Sequence, residues 1–324
     1  MRGRYRTTMT MIGAIGLVAA SCGGDDEPTG APAGDPGDDR PLIVATTSIW
    51  ADVTANVVCH DLAEVSAVVP TGVDAHFYEP SLQDRGLMGD AAIVVANGLA
   101  LEESLVGTLE TVAAEGVPVF EVADHVADPL ESTEDEHDEH DDDHDDDHDG
   151  DDPHVWLDPA RVAAALPVLG DAIVDATGID ADAVAECVDE YQAELLDIDA
   201  EIADMFTAID DDMRKLVSTH ESLGYFADRY DFEIIGTVLE GTSSMAETNP
   251  AALEELANDV IATGVPAVFA EAETSQADME ALADRAGVEV VVLPTESLGE
   301  PDSGYGTYVD FLRHNAQLIS DALA

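Results

Sequence analysis

Basic residues are scarce in this chain. Its 324 residues include 11 Lys and Arg against 71 Asp and Glu, which gives a formal net charge of −60 at pH 7. Lys215 is its one lysine. Binding to nucleic acid or to an anionic membrane surface requires clusters of Lys and Arg. The composition therefore argues against both kinds of partner.

The apolar segment near the N-terminus is too short for a comfortable membrane span. It runs from Met9 to Ala20, whereas a spanning helix needs ~20 apolar residues. Arginines precede it, and small residues follow it directly before Cys22. A positive start and a short apolar core are typical of a targeting segment. The small residues before Cys22 resemble the lipobox of bacterial lipoproteins, in which the cysteine is lipidated.

The N-terminal region is therefore predicted to be a signal and an anchor rather than part of the fold. We expect residues 1–21 to be a lipoprotein signal peptide, with lipid attached to Cys22. Residues 22–40, rich in Gly, Pro and Asp, would form a flexible tether. The folded part would then work outside the cytoplasm, held at the outer face of the cytoplasmic membrane by its lipid alone. The alternative is an ordinary secretory signal with an incidental cysteine.

Cysteine is also scarce. The chain has 3 cysteines, and Cys59 and Cys187 remain once the predicted lipid-bearing residue is set aside. Two cysteines in an oxidising compartment are candidates for a disulfide. Two buried free thiols are the alternative, because a sequence does not show whether two Cα atoms approach each other.

Acidic residues and histidines are concentrated in residues 131–152. Four histidines recur every three or four residues in a nearly unbroken Asp/Glu run: His137, His140, His144 and His148. A segment this charged buries too little apolar surface to fold by itself. Neutral imidazoles among carboxylates nevertheless bind divalent cations weakly. We interpret the segment as an auxiliary, weak metal-binding loop, with a solvated acidic linker as the alternative.

Short apolar runs alternate with helical segments on both sides of this loop. Examples are the strand-like runs 42–46 and 265–270, and the helix starts at Asp158-Pro159 and Asn249-Pro250. Ser48 is predicted to cap the first helix, and Pro167 to kink or break a later one. Strands that alternate with helices favour a parallel sheet with covered faces.

One longer segment separates the two alternating regions. Residues 182–209 lack Pro and Gly and have apolar residues at helical spacing, which predicts a helix ~40 Å long. The predicted fold is α/β with two lobes, each built on a central, mainly parallel sheet and joined by this rigid helix. The boundaries are 41–179 for the N-terminal lobe, 180–210 for the linking helix and 211–324 for the C-terminal lobe.

Four potential metal ligands lie where strands give way to loops: His76, His154, His220 and Glu296. Ligands of open α/β sheets collect at the carboxyl ends of strands, so four such loops can converge between two lobes. Imidazoles with one carboxylate suit zinc or manganese, and three imidazoles favour zinc over oxygen-preferring manganese. A secreted zinc hydrolase is a competing interpretation, but it would keep one coordination position open for water. The chain has no His-Glu-x-x-His run to support it.

The surroundings of these residues resemble a known family. Residues 152–159 match its motif Asp-Pro-His-x-Trp-x-Asp-Pro, and residues 73–80 resemble Gly-x-x-Pro-His-x-Tyr-Glu-Pro with Ala75 in place of the proline. Residues 219–226 and 295–300 are similar to its third and fourth ligand segments. The family comprises the metal-binding lipoproteins of zinc and manganese ABC importers, the cluster A-I solute-binding proteins. The resemblance extends from Leu42 to the C-terminus.

The resemblance implies a transport component rather than an enzyme. It implies a metal shell made of His76, His154, His220 and Glu296, where many relatives carry aspartate at the last position. Relatives with His at the third position are usually zinc proteins, and those with Glu are usually manganese proteins. The implied partners are an ABC permease and its ATPase, with the chain itself a monomer. Zn²⁺ is the expected cargo. A manganese importer component and a metal-buffering surface lipoprotein or adhesin are the alternatives.

Overall fold

The computed structural model of the protein describes residues 40–131, 151–246 and 248–324. The predicted signal peptide (1–21), the lipidation site Cys22 and nearly all of the tether lie outside these ranges. So do the four histidines of the acidic loop: His137, His140, His144 and His148. Among the described residues, no helix combines the length and apolar character needed to cross a bilayer.

The N-terminal lobe is built on a four-stranded parallel sheet. Its elements are β1 (Leu42–Ala45), α1 (Ser48–Val57), β2 (Glu64–Ala67), α2 (Leu82–Gly89), β3 (Ile93–Ala96), α3 (Val106–Ala114) and β4 (Val119–Glu121). The strand order is β2-β1-β3-β4, with every neighbouring pair parallel. The central strand β3 is buried throughout, as expected for an apolar strand with covered faces.

The first helix is capped by a residue other than the predicted one. Thr47, rather than Ser48, accepts the hydrogen bond from the N–H of Trp50 that closes the first turn. The hydroxyl of Ser48 instead accepts a hydrogen bond from the N–H of Leu298, near the other end of the chain. Ser48 therefore connects the first helix to a distant loop.

Two long helices join the two sheet regions. A short 3-10 turn (Val155–Leu157) leads into α4 (Pro159–Thr177), and α5 (Ala181–Met205) packs against α4, α1 and the last helix. Asp158 caps α4 by accepting from two backbone N–H groups, as its sequence predicted. Helix α5 has 25 residues and gives way to a 3-10 turn at Phe206–Ala208, so it is slightly shorter than expected.

Pro167 was predicted to kink or break α4, and the break is wrong, because the helix continues from Pro159 to Thr177 through this residue. Proline has no N–H, so the carbonyl oxygen of Ala163 loses its usual intrahelical donor. The side-chain amide of Gln192, on α5, donates a hydrogen bond of 2.8 Å to that buried oxygen instead. The neighbouring helix thereby supplies the donor that the proline removes.

The C-terminal lobe repeats the alternation of strands and helices. Its elements are β5 (Lys215–Ser218), α6 (Gly224–Tyr230), β6 (Glu233–Thr237), α7 (Pro250–Thr263), β7 (Ala267–Glu271), α8 (Ala277–Ala286), β8 (Glu289–Leu293) and α9 (Tyr308–Leu323). In the described part of the chain, these strands form two two-stranded parallel sheets, β5-β6 and β7-β8, rather than the single sheet predicted. Strands β5 and β7 are close neighbours.

Three further features connect the parts of the fold. The largest apolar cluster includes Trp156, Tyr225 and Phe311, so the two lobes share one continuous core. Cys59 and Cys187 form a disulfide between the end of α1 and α5, with Cα atoms 5.5 Å apart. Glu131 and Asp151, on either side of the acidic insertion, pair through an antiparallel β-bridge.

The amide of Gln192 should stabilise the fold only because residue 167 is a proline. Gln192→Ala leaves a buried carbonyl without its donor, which should cost about 1–3 kcal/mol in the free energy of unfolding. In a Pro167→Ala background the backbone N–H is restored, and the same substitution should cost well under half as much. Chemical denaturation of the four proteins of this cycle measures both values. Equal costs in the two backgrounds would contradict this account of the proline.

Candidate metal centre

The four predicted ligands meet, and three of them lie in loops that follow strands. His76 lies between β2 and α2, His220 follows β5, and Glu296 follows β8. His154 departs from the expected pattern, because only the isolated bridge at Asp151 precedes it. Its segment is held instead by Asn97, whose amide donates to the carbonyl oxygen of Pro153. All four predicted ligands are buried, and none is more than 2% exposed.

The distances between the donor atoms suit a small tetrahedral cation. The Nε2 atoms of His154 and His220 are 3.1 Å apart. Glu296 Oε1 lies 3.6 Å from Nε2 of His154 and 4.0 Å from Nε2 of His220. The ligand atoms of the three histidines all lie within 4.8 Å of one another. Ligands ~2.0–2.1 Å from a tetrahedral zinc are ~3.3 Å apart, so these separations are close to those of a zinc shell.

Several of these donor atoms are buried without a hydrogen-bond partner. Within the described ranges, Nε2 of His76 and both carboxylate oxygens of Glu296 have none. Burying a polar or charged group in this way is unfavourable unless another group satisfies it. A cation at the centre of the cluster would satisfy all three atoms.

Each histidine has a carboxylate beside its outer nitrogen. Nδ1 of His154 lies 2.7 Å from Asp152 Oδ1, and Nδ1 of His220 lies 2.7 Å from Glu271 Oε1. Nδ1 of His76 lies 3.3 Å from an oxygen of Glu103. A carboxylate at Nδ1 favours the tautomer with its proton there, which leaves Nε2 free to bind metal.

None of these three carboxylates is among the functional residues predicted from the sequence. The sequence carries a signal for one of them, Asp152, because Asp74 precedes His76 at the same Asp-x-His spacing at which Asp152 precedes His154. In both pairs the aspartate Oδ1 accepts a hydrogen bond from the backbone N–H of the histidine, at 2.8 and 2.9 Å. Asp74 also forms a second possible group of donors with His76 and Glu296.

The loop that bears Glu296 is held from both lobes. The indole N–H of Trp156 donates to the carbonyl oxygen of Thr295 at 2.9 Å, and the backbone N–H of Gly72 donates to the hydroxyl of Ser297 at 2.7 Å. From α9, the amide of Asn315 donates to the carbonyl oxygen of Pro294. These contacts place the carboxylate at the centre without using its own oxygens.

Gly224 makes room for the carboxylate that orients His154. A Cβ atom at this position would lie 2.4 Å from Oδ2 of Asp152, which is a steric clash. The absence of a side chain lets α6 approach the ligand segment of the other lobe.

Burial and mutual repulsion shift the protonation of the centre. Burial, reinforced by nearby carboxylates, raises the pKa of Glu296 well above its ordinary value. Burial also raises the pKa of Asp152 to about 7. It lowers the pKa of His154 well below its usual range, with help from the two other histidines. Burial also acts to lower the pKa of His220, but the charge and hydrogen bond of Glu271, together with the charges of Asp74 and Asp152, outweigh it and raise the pKa.

Comparison with known proteins shows which family the chain resembles in sequence. The family model described as "Zinc-uptake complex component A periplasmic" matches residues 43–322. The manganese-binding lipoprotein MntA of Halalkalibacterium halodurans is 29% identical over 317 residues, which cover 97% of each chain. The zinc-binding protein TroA of Treponema pallidum is 28% identical over 301 residues, covering 89% of this chain and 90% of its own.

A solved structure has the same architecture. The periplasmic zinc-binding protein TroA from Treponema pallidum superposes with a TM-score of 0.77 at 25% sequence identity. The superposition covers 88% of this chain and 99% of that one. The predicted α/β fold with two lobes is therefore confirmed.

Metal uptake at this centre should release protons. Glu296 and His220 have raised pKa values, so at mildly acidic pH they hold protons that a cation must displace. Affinity for zinc should therefore fall as the pH is lowered. Calorimetry at pH 6 in buffers of different ionisation enthalpy counts the released protons, and Glu296→Gln should release fewer. A binding enthalpy independent of the buffer would contradict the prediction.

Proposed function

The chain belongs to the zinc-uptake complex component A family, and on that premise we propose that it is the solute-binding component of an ABC importer with zinc as its principal cargo. The observation that supports this most strongly is the buried cluster of His76, His154, His220 and Glu296 with unpaired donor atoms. Such a cluster captures a cation from solution and encloses it between the two lobes.

Each residue of the cluster has a distinct role in this proposal. The three histidines bind zinc through Nε2, and Glu296 supplies the fourth ligand and one negative charge. Asp152 and Glu271 hold two of the imidazoles and add negative charge next to the cation. Four protein ligands leave no coordination position for an activated water, so binding and delivery are favoured over hydrolysis.

The chemistry of the donors supports zinc more than manganese. Three nitrogen donors and one oxygen donor suit a tetrahedral zinc, whereas manganese prefers more oxygen donors. The relatives include proteins named for each metal, MntA for manganese and TroA for zinc. One observation favours manganese as the second candidate. Asp74 lies within reach of His76 and Glu296, and its carboxylate would add oxygen donors to a larger shell.

The remaining assignments concern location and partners. MntA of Halalkalibacterium halodurans is named a lipoprotein, and small residues precede Cys22 in this chain. We therefore propose that Cys22 anchors the protein to the outer face of the cytoplasmic membrane. A monomer tethered there would deliver zinc to a membrane permease that is driven by an ATPase. A surface lipoprotein that buffers metal or mediates adhesion would share the site but lack these partners.

Removal of one histidine tests the proposed shell. The mature chain should bind one zinc tightly and manganese more weakly. His220→Ala should lower zinc affinity by more than about 100-fold, because loss of a mere supporting partner costs 10–100-fold. His125→Ala is the matched control, since His125 is exposed and stacks on Phe120 away from the cluster. Full, tight zinc binding by His220→Ala would remove this residue from the shell, and manganese binding more tightly than zinc would reverse the proposed cargo.

The acidic insertion should bind further metal independently of this centre. We propose that His137, His140, His144 and His148 collect zinc loosely and raise its concentration beside the cleft. Changing all four to Gln keeps the carboxylates and should abolish the weak zinc equivalents while one tight zinc remains. Calorimetry distinguishes the two classes of site. Unchanged weak binding in this variant would indicate an acidic linker without a capture role.

A further inference from the structure

The three histidines of the centre differ in how their orientation is maintained. His154 is held by Asp152, two residues away in the same segment. His220 is held by Glu271, and the hydroxyl of Ser222 donates to that carboxylate at 2.9 Å, so all three residues belong to the C-terminal lobe. For these two imidazoles, each supporting carboxylate comes from the same lobe as its histidine.

The residues that hold His76 come from both lobes. Its Nδ1 faces Glu103 and its backbone N–H donates to Asp74, both in the N-terminal lobe. The hydroxyl of Ser243 donates to Glu103 Oε1 at 2.5 Å, and the hydroxyl of Ser244 donates to Asp74 Oδ2 at 2.6 Å. Both serines lie between β6 and α7 in the C-terminal lobe.

We propose that Ser243 and Ser244 are positioning residues that make the orientation of His76 depend on contact between the lobes. This inference rests on the proposed function and adds how the bound metal is retained. When the two serine hydroxyls donate to Glu103 and Asp74, both carboxylates are held in place and they orient the imidazole of His76 toward the metal. When the lobes separate, His76 is the first ligand to lose its support, and zinc leaves from that side.

The two serines should contribute unequally. Asp74 is buried, so Ser244→Ala leaves one of its carboxylate oxygens without this donor in a site with little access to water. The Glu103 side chain is 38% exposed, so water can replace the hydroxyl of Ser243. Ser244 should therefore have the larger effect, and the double substitution the largest.

Zinc dissociation from the full mature chain tests the inference. Stopped-flow mixing of the zinc-loaded protein with excess chelator measures the dissociation rate. Zinc should dissociate about tenfold faster from Ser243→Ala/Ser244→Ala, because the imidazole of His76 is no longer held in the orientation that binds the metal. Association with zinc should change less than about twofold. Ser275→Ala is the matched control, since Ser275 is an exposed serine of the same lobe whose hydroxyl accepts a hydrogen bond from the N–H of Ala277 at the start of α8. Ser244→Thr keeps a hydroxyl and should retain slow dissociation.

A merely structural role for the serines has a different signature. It would lower the melting temperature of the metal-free protein and accelerate dissociation equally in Ser244→Thr and Ser244→Ala. That result would overturn the inference, as would unchanged dissociation in the double variant. Nitrogen NMR of the zinc-bound protein gives a second readout, in which the Nδ1 signal of His76 should shift while those of His154 and His220 remain. A wild-type chain that binds no zinc would overturn the proposed function and this inference together.

Discussion

Burying the carboxylate of Glu296 beside three imidazoles is the constraint on which the rest of the structure depends. The carboxylate has no hydrogen-bond partner among the described residues, and its raised pKa reflects the unfavourable removal of its charge from water. A group in this state is tolerated only if the surrounding structure holds it there. The same constraint favours the binding of a divalent cation, because one cation provides a partner for both the buried carboxylate and the unpaired imidazole nitrogen.

Elements of the fold that lie far from the centre hold the carboxylate in place. One apolar core runs through both lobes and includes Trp156, whose indole N–H also fixes the backbone next to Glu296. Helix α5 packs against α1, α4 and α9, and the disulfide between Cys59 and Cys187 joins it to the end of α1. The two lobes therefore share one support, which consists of this core, the packed helices and the disulfide.

Signals between neighbouring residues predicted most of the helices and strands. The predictions that failed did so because of contacts with residues far away in the chain. A cap followed by proline at Asp158-Pro159 starts a helix for reasons contained in neighbouring residues. Ser48 fails as a cap because it contacts Leu298, 250 positions away, and α4 passes through Pro167 because Gln192 donates from another helix. The four candidate ligands could be predicted from their motifs. Asp152 could have been found from the repeated Asp-x-His spacing, but Glu103 and Glu271, and the serines that reach across from the other lobe, could not, since they lie far along the chain from the histidines they support.

Glu131 and Asp151 pair through a β-bridge on either side of the acidic insertion. The number of residues in the insertion can therefore change without disturbing the metal centre. Both ends of the insertion emerge at one point, immediately before Asp152. In general, the entropic cost of bringing the two ends of a chain segment together rises by only ~0.6 kcal/mol for each doubling of its length. Histidines and carboxylates can therefore be gained or lost there in large numbers during evolution without altering the fold. Under the proposed function, the amount of metal that the insertion collects can thus change independently of the affinity of the buried site.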